Sequence, residues 1–369
     1  MVRKLSRQEA KDVLLGCAIL GTGGGGSLIT GCRTVDEDYD AGLCYELIPL
    51  EETEDDGYYT SPYNCGSISD VDESDPFFSY PMEAKRPTVN AVKALEEFTG
   101  KAMSGVVSIE YGGGNTAQAF TTGAHMGIPT VDADAAGRAV PELQFSTFYV
   151  KEQPISPLSV ATVIGETAVF NHIPDDARAE ALVRSLSVVS GKTVSMSDHL
   201  ITGKNLKFSV IPDALSYAEK VGRASRMAQE AGEDPVAAIV KAGDGWRLFD
   251  GIVSEDCSWY DEGGFTCGTI EIDGIGNDEG NHFKVWFKNE NMILWKNGEP
   301  WIVCPDMICL VETGDANPVL NPRWYKGMAV SGLGFRCHEM WRSERGLGIL
   351  NPGFFGFDYN WKPIEEVLA

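Results

Sequence analysis

Residues 106–137 read VVSIEYGGGNTAQAFTTGAHMGIPTVDADAAG and contain the pattern of a strand, a loop, a helix and a second strand. The β-rich run at the start stops at three glycines, and the residues after the glycines suit a helix. Residues 128–133 then form a short apolar run that ends among acids. This alternation is typical of an α/β domain with a parallel sheet, whose ligands bind beyond the carboxyl ends of the strands. The stretch therefore predicts a ligand site at its glycines and acids.

A second glycine-rich run lies near the start of the chain. Residues 14–31 read LLGCAILGTGGGGSLITG, and we call residues 21–27 the first glycine loop. A loop with so few Cβ atoms can take positive φ and present successive backbone N–H groups to an anion. It lacks the Lys-Ser/Thr of a Walker motif and the spacing of the dinucleotide fingerprint. A tight turn is the alternative, and we predict a ligand-binding role for Gly23, Gly24, Gly25, Gly26 and Ser27.

The acids at the end of the quoted stretch belong to an acidic cluster, VDADAAGRAVPELQF. Asp132 and Asp134 are two residues apart, so at the end of an extended strand they point to the same side. Such a pair can activate a water molecule, or it can hold a divalent metal if the protein uses one. Glu142 is a candidate acid, and Arg138 can hold a carbonyl or carboxylate of a substrate. The alternative is structural: Asp134 caps a helix and Arg138 pairs with Glu142.

The residues at the end of the second glycine loop (residues 112–114) also offer polar groups. Gly113 and Gly114 expose backbone, while Asn115 and Thr116 carry an amide and a hydroxyl. These groups can orient a polar ring, or they can cap the following helix. The sequence leaves both interpretations open, and we include the four residues among the predicted substrate-binding residues.

Composition excludes several classes of function. The chain has 369 residues and a formal net charge of −24, which argues against nucleic acid and anionic membrane as partners. No apolar run reaches the roughly 18 residues of a membrane span. Nine cysteines occur without CxxC pairs, which favours reduced thiols and a cytoplasmic location.

The pattern changes in the middle of the chain. In residues 246–311 short apolar runs alternate with turn signals such as Asn297-Gly298, which is typical of antiparallel β structure. We therefore predict an α/β fold in which a layered domain with a parallel sheet is joined to a second, β-barrel-like domain. The predicted divisions are the α/β domain at residues 1–200, the β-rich domain at residues 201–315, and a C-terminal segment at residues 316–369 that returns to the α/β domain.

Residues 51–78 form an acidic, turn-rich segment, EETEDDGYYTSPYNCGSISDVDESDPFF. Acids that lack cations nearby resist burial, so we expect this segment to run over the surface. Its tyrosines, Tyr58, Tyr59 and Tyr63, are expected to pack as a lid over the site or against a second subunit, and we expect a homo-oligomer. A solvated loop is the alternative.

The motifs resemble those of one known family. LGTGGGGS, EYGGGNT, GIPTVDADAAGRAVPELQ, DEGGFTCGTIEIDG, FKNEN, CPDMICLVETG and PGFFGFDYNWKP occur in an order similar to that of the S-methyl thiohydantoin desulfurase family. The resemblance runs over nearly the whole chain. It implies an α/β N-terminal domain, a β-barrel-like second domain and hydrolytic chemistry on five-membered cyclic ureides such as hydantoins and thiohydantoins.

Two functions follow from the resemblance and the acidic cluster. The first is a hydrolase that acts on a small-molecule cyclic ureide, in which Asp132, Asp134 and Glu142 activate water and protonate the leaving group. The second is a non-catalytic binding or regulatory partner of a hydantoinase- or oxoprolinase-type enzyme. Tight binding of the ring without turnover would favour the second.

Overall fold

The computed structural model describes residues 2–68 and 74–369. The first part of the chain forms one sheet and the helices that cover it. The strands are β1 (Arg3–Lys4), β2 (Glu46–Pro49), β3 (Tyr58–Gly66), β4 (Met103–Ser108), β5 (Thr130–Asp134), β6 (Leu158–Ala161), β7 (Thr167–Phe170), β8 (Thr193–Thr202) and β9 (Ile211–Pro212). The helices are α1 (Arg7–Leu20), α2 (Leu28–Asp40), α3 (Pro87–Thr99), α4 (Asn115–Met126), α5 (Thr147–Val150), α6 (Asp176–Val189), α7 (Gly203–Ser209), α8 (Ala214–Ala231) and α9 (Pro235–Gly243).

The first sheet is mixed and has a parallel centre. Its strand order is β1-β2-β5-β4-β3-β8-β6-β7, with β9 paired to β5. The pairs β2–β5, β5–β4 and β4–β3 are parallel, whereas β3–β8 and the strands beyond it are antiparallel. The predicted α/β architecture with a parallel sheet is therefore confirmed. The quoted stretch supplies β4, α4 and β5, in the order that its pattern predicts.

The second sheet is antiparallel and begins at Trp246. It contains β10 (Trp246–Val253), β11 (Ser258–Glu262), β12 (Phe265–Gly274), β13 (His282–Lys288), β14 (Glu290–Lys296), β15 (Glu299–Val303), β16 (Met307–Glu312) and β17 (Ala329–Phe335). The order is β15-β14-β13-β12-β10-β17-β16, with β11 paired to β12. In the part of the chain that the structure describes, no strand pairing joins β15 to β16. The second sheet is thus confirmed, and its predicted closure into a barrel is not.

Helices occupy the junction between the two sheets. Helices α7, α8 and α9 lie within residues 201–315, and α8 crosses α1 at close range. A Cβ atom on Gly16 would lie 1.7 Å from the carbonyl oxygen of Ala218, and one on Gly222 would lie 2.0 Å from that of Asp12. The backbones of α1 and α8 therefore touch at these glycines. This contact fixes the position of α1 and of the first glycine loop that follows it.

The expectation of a surface loop at residues 51–78 is wrong for residues 58–66. This part of the segment is β3, which lies between β4 and β8 in the first sheet. Tyr59 and Tyr63 are only 2% and 4% exposed. No acid lies between Asp56 and Asp70, and the aromatic and β-branched residues after Asp56 favour a buried strand. Residues 69–73 of the predicted lid lie outside the described residues.

The C-terminal segment contains α10 (Glu339–Arg342), α11 (Glu344–Ile349) and α12 (Ile364–Val367). It contacts both parts of the molecule, since Trp341 Nε1 donates to the carbonyl of Ala136 at 2.7 Å and Trp361 Nε1 donates to Asp306 Oδ2 at 2.9 Å. Within residues 2–68 and 74–369, none of the helices combines the length and apolar character that crossing a bilayer requires.

Candidate functional site

A cavity of about 900 Å³ opens where the first glycine loop meets the two sheets. Its wall includes residues 23–31 from the loop and the start of α2, and residues 63–68 from the end of β3. The residues after β4, the loop at residues 140–146 and the start of β14 complete the inner wall. The cavity therefore lies at the carboxyl ends of β3 and β4, as an α/β sheet predicts.

Glu110 lies at the inner wall of the cavity, two residues beyond the end of β4. Asn115 Nδ2 donates to its Oε1 at 2.6 Å, and the backbone N–H of Val140 donates to its Oε2 at 2.8 Å. The side chain is 7% exposed, and burial raises the pKa of Glu110 to about 7. Since the two donors stabilise the charged form, Glu110 can change protonation state close to neutral pH.

Glu290 reaches the same cavity from the second sheet, as the first residue of β14. Its side chain packs on the first glycine loop so closely that a Cβ on Gly24 would lie 1.9 Å from its Oε1. The residue is 2% exposed, and Oε2 has no hydrogen-bond partner among the described residues. Burial raises the pKa of Glu290 well above its ordinary value, and repulsion by Glu110 raises it further.

Glu110 and Glu290 form what we call the carboxyl pair. Burial together with mutual repulsion makes two charges here unfavourable, so the pair is expected to hold one proton near pH 7. The higher pKa of Glu290 and the two donors on Glu110 favour the proton on Glu290. The positive charge of Arg184, which also lines the cavity, offsets part of the effect of burial on both acids. One acid and one base therefore face a single cavity.

Arg184 is positioned by its own helix and by a neighbouring loop. Its Nε donates to Glu180 Oε1 at 2.7 Å, and its Nη2 donates to the carbonyl of Pro141 at 3.1 Å. The Arg184 side chain is 8% exposed. The residue thus brings a fixed positive charge to the cavity wall rather than a mobile one.

The first glycine loop is held against the second by the backbone. The N–H groups of Gly114 and Asn115 donate to the carbonyl of Gly25 at 3.1 and 3.0 Å. Gly23, Gly25 and Gly26 have φ values of 91°, 74° and 82°, which other residues rarely adopt. The loop ends at Ser27, whose Oγ accepts from the N–H of Thr30 and caps α2. The positive end of α2 therefore points toward the cavity.

Several residues predicted from the sequence meet at this cavity. Glu142 lines it, bonded to Gln144 Nε2 at 2.6 Å and paired with Lys288. Asn115 lines it through the amide that contacts Glu110. The other predicted residues in the lining are Gly23, Gly24, Gly25, Gly26, Ser27 and Gly114.

Three other predicted residues, Gly113, Thr116 and Arg138, lie outside the cavity lining. The carbonyl oxygen of Gly113 lies so close to Gly31 that a Cβ atom on Gly31 would be 1.9 Å from it. Thr116 Oγ1 donates to the carbonyl of Glu110 at 3.4 Å. Arg138 is 1% exposed and is not in the lining of the cavity. Its guanidinium donates to the carbonyl groups of Asn291 and Pro305, at 2.9 and 3.1 Å, so it joins chain segments instead of facing the cavity.

Asp132 and Asp134 also lie outside the cavity lining. Asp132 Oδ1 accepts from the N–H groups of Leu215 and Ser216 at 3.0 and 2.9 Å, at the start of α8. Asp134 Oδ1 accepts from the N–H groups of Ala136 and Gly137 at 2.8 and 2.6 Å. Burial raises the pKa of Asp134 to about 7. The two side chains thus accept hydrogen bonds from separate backbone groups.

We expect Asp132→Ala to lower stability rather than turnover. The substitution removes the acceptor for two N–H groups at the start of α8, and loss of a helix cap costs about 1 kcal/mol. Thermal unfolding and steady-state kinetics on the same preparation measure both effects. Asp175→Ala is the matched control, because Asp175 caps α6. If turnover is lost while the Tm is unchanged, Asp132 is a catalytic residue after all.

Asp132 and Asp134 were predicted to hold a metal if the protein uses one, and the described residues supply no third ligand near them. In residues 2–68 and 74–369, no group of three or more His, Cys, Asp or Glu side chains has an arrangement that holds a metal ion.

The sequence interpretation did not select the carboxyl pair, although both acids lie in motifs that carried the family resemblance. Glu110 is the first residue of EYGGGNT, and Glu290 is the central residue of NEN within FKNEN. An acid that lies two residues before a glycine loop, just after a strand, is a signal that would have found Glu110. No local signal identifies Glu290, because its surroundings come from the first glycine loop.

Comparisons with known proteins agree over almost the entire length. A family model described as S-Me-THD-like, N-terminal domain, matches residues 8–172, and one described as S-Me-THD-like, C-terminal domain, matches residues 174–364. The crystal structure of a structural-genomics protein from Chromobacterium violaceum has a similar fold, with a TM-score of 0.77 at 19% identity. That similarity covers 98% of this chain and 100% of the other. No curated protein matches the chain in sequence.

Proposed function

The chain belongs to the S-Me-THD-like family, and on that premise we propose that it hydrolyses a five-membered cyclic ureide of the S-alkyl thiohydantoin type. The observation that supports this most directly is the carboxyl pair: two buried acids from different sheets face one cavity beside the first glycine loop. Paired carboxyl groups whose pKa values are raised by burial are typical of acid–base catalysis.

The reaction needs a base, an acid and a site for negative charge. The reacting ring carbon carries a double-bonded nitrogen and the alkylated sulfur. Water forms a carbon–oxygen bond to this carbon, and the carbon–sulfur bond breaks. One proton of the water ends on the ring nitrogen and the other on the leaving sulfur, so the products are a hydantoin and a thiol.

In this proposal Glu110 is the base and Glu290 is the acid. Glu110 accepts a proton from water while Asn115 and the N–H of Val140 keep its carboxylate oriented. Glu290 donates its proton to the ring nitrogen as the carbon–oxygen bond forms. Glu110 then returns its proton to the sulfur, and the product hydroxyl restores the proton of Glu290. The backbone N–H groups of the first glycine loop supply donors to the charge that develops on the ring.

In this proposal the catalytic acids are Glu110 and Glu290, whereas the sequence analysis predicted Asp132, Asp134 and Glu142. Glu142 still reaches the cavity, but its carboxylate is already engaged by Lys288 and by Gln144 Nε2. Lys288 in turn lies 4.0 Å from the ring centroid of Phe265. We propose that Glu142 with its lysine shapes the wall and that the carboxyl pair transfers the protons.

We expect a bell-shaped pH profile of kcat/KM for an S-methyl thiohydantoin. The rate should rise as pH passes about 7, because Glu110 must lose its proton to act as base. It should fall at higher pH, because the pKa of Glu290 is raised further and the acid is lost there. Chromatographic measurement of the hydantoin product is suitable, since thiol reagents would also modify the protein's cysteines.

Two outcomes would contradict the proposal. A rate that does not change across neutral pH would remove the carboxyl pair from the chemistry. Binding of the hydantoin without any turnover of the thiohydantoin by the purified chain would favour the non-catalytic binding function instead.

A further inference from the structure

The cavity is much larger than the ring that the proposed reaction requires. Its volume of about 900 Å³ is near the upper end of the roughly 300–1,000 Å³ found for sites of drug-sized ligands. A five-membered ring with one S-methyl group occupies a small part of such a space. The remaining volume is continuous with the carboxyl pair, so whatever fills it is attached to the ring or lies beside it.

The outer wall of this volume is apolar. On one side it is formed by Leu28 and Ile29 from the first turn of α2, and on the other by Val319 and Leu320. Ile29 is 82% exposed, whereas the two acids of the carboxyl pair are at most 7% exposed. Ile29 is therefore at the mouth of the cavity, whereas the two acids and Val319, which is 5% exposed, lie deeper. Apolar surface at a ligand site gains most when an apolar group covers it.

The charges of the wall offer an anionic group in the same space no excess of positive partners. Four carboxyl side chains line the cavity, Glu110, Glu142, Glu290 and Glu312, and with one proton on the carboxyl pair they carry three negative charges against the two positive charges of Arg184 and Arg323. Arg184 already pairs with Glu180, so its charge is partly compensated.

We infer that the substrate carries a bulky apolar substituent on ring carbon 5, which lies against the apolar side chains of Leu28, Ile29, Val319 and Leu320 that line the cavity. This inference rests on the proposed function, since it takes the ring as given. The geometry of the ring supports it: carbon 5 is separated from the reacting carbon 2 by one nitrogen. When carbon 2 faces the acids at the floor, a substituent on carbon 5 points toward the mouth.

The test measures affinity for the hydantoin products, so that binding is scored independently of turnover. Isothermal titration would compare hydantoins that carry hydrogen, methyl, isobutyl, benzyl or carboxyethyl on carbon 5. We expect benzyl to bind at least about tenfold more tightly than methyl, because burial of a side chain of that size has this effect on affinity. Equal affinities, or tightest binding of the carboxyethyl ring, would overturn the inference. Failure of every hydantoin to bind would refute the proposed function itself.

A matched pair of variants locates the apolar contact. Ile29→Ser is expected to reduce the ratio of benzyl to methyl affinity several-fold. Met227→Ser is the control, because Met227 is a large apolar residue on α8 that is 56% exposed and lies outside the cavity lining. It is expected to keep the wild-type ratio. If both variants leave the ratio unchanged, the substituent does not lie against the first turn of α2.

Discussion

Replacement of Glu110 by Gln is expected to lower kcat by about 100- to 10,000-fold, the range found when a general base is removed. Gln has nearly the same shape and can still accept from the N–H of Val140, so the cavity should keep its form, although the new amide nitrogen faces Asn115 Nδ2 and loses that hydrogen bond. It cannot, however, take a proton from water. Glu290→Gln is expected to lower kcat by a similar factor, because the amide has no proton to donate to the ring nitrogen.

The melting temperature of each variant distinguishes a loss of catalysis from misfolding. A carboxylate buried in this way is costly at neutral pH, since burial raises its pKa to about 7. Glu110→Gln should therefore melt close to the wild-type temperature, because removal of the buried charge opposes the loss of the hydrogen bond from Asn115. Glu219→Gln is the matched control: Glu219 is 4% exposed, pairs with Arg3 and Arg223, and lies outside the cavity. It should lose stability and keep its turnover. An active Glu110→Gln enzyme would remove Glu110 from the mechanism.

Replacement of Arg138 by Met is expected to have the largest effect on stability, about 3–5 kcal/mol in the free energy of unfolding. The guanidinium donates to the carbonyl groups of Asn291 and Pro305 and to Thr22 Oγ1, at 2.9, 3.1 and 3.2 Å. These acceptors come from β14, from the turn before β16 and from the first glycine loop. Because Arg138 is 1% exposed, water cannot replace its donors after the substitution.

Denaturant unfolding measures this loss, and Arg138→Lys serves as the comparison. Lysine keeps the positive charge but lacks the planar set of donors, so it should recover only part of the stability. The charge has a second effect, because Arg138 opposes the influence of burial on the pKa of Glu290. The alkaline limb of the pH profile should thus move to higher pH in the Met variant. Wild-type stability in Arg138→Met would show that the segments are held together by other contacts.

The local pattern of the sequence was sufficient for one unit of the first sheet. The order of β4, α4 and β5 follows from an apolar run, a glycine loop, a helical run and a second apolar run within residues 106–137. The antiparallel second sheet follows from apolar runs separated by turn signals. Both are determined by residues close together in the chain, which is why a single sequence shows them.

The roles of the acids were not predictable in the same way. Asp132 and Asp134 look catalytic because two carboxylates at a strand end share one side in an isolated strand. In the folded protein the start of α8 lies against Asp132, and the turn after β5 folds back on Asp134. Each carboxylate therefore meets backbone N–H groups that the sequence pattern could not place beside it.

The sequence by itself determined the α/β class, the two glycine loops and the antiparallel second sheet, because periodicity and glycine content act over a few residues. Only the tertiary structure decided which acids share a cavity. Glu110 follows a strand of the first sheet, and Glu290 begins a strand of the second. Both acids line one cavity, and Glu290 fits there because Gly24 has no side chain and leaves the space that Glu290 occupies. Burial raises the pKa values of both acids, and burial is a property of the packed molecule, not of either segment alone.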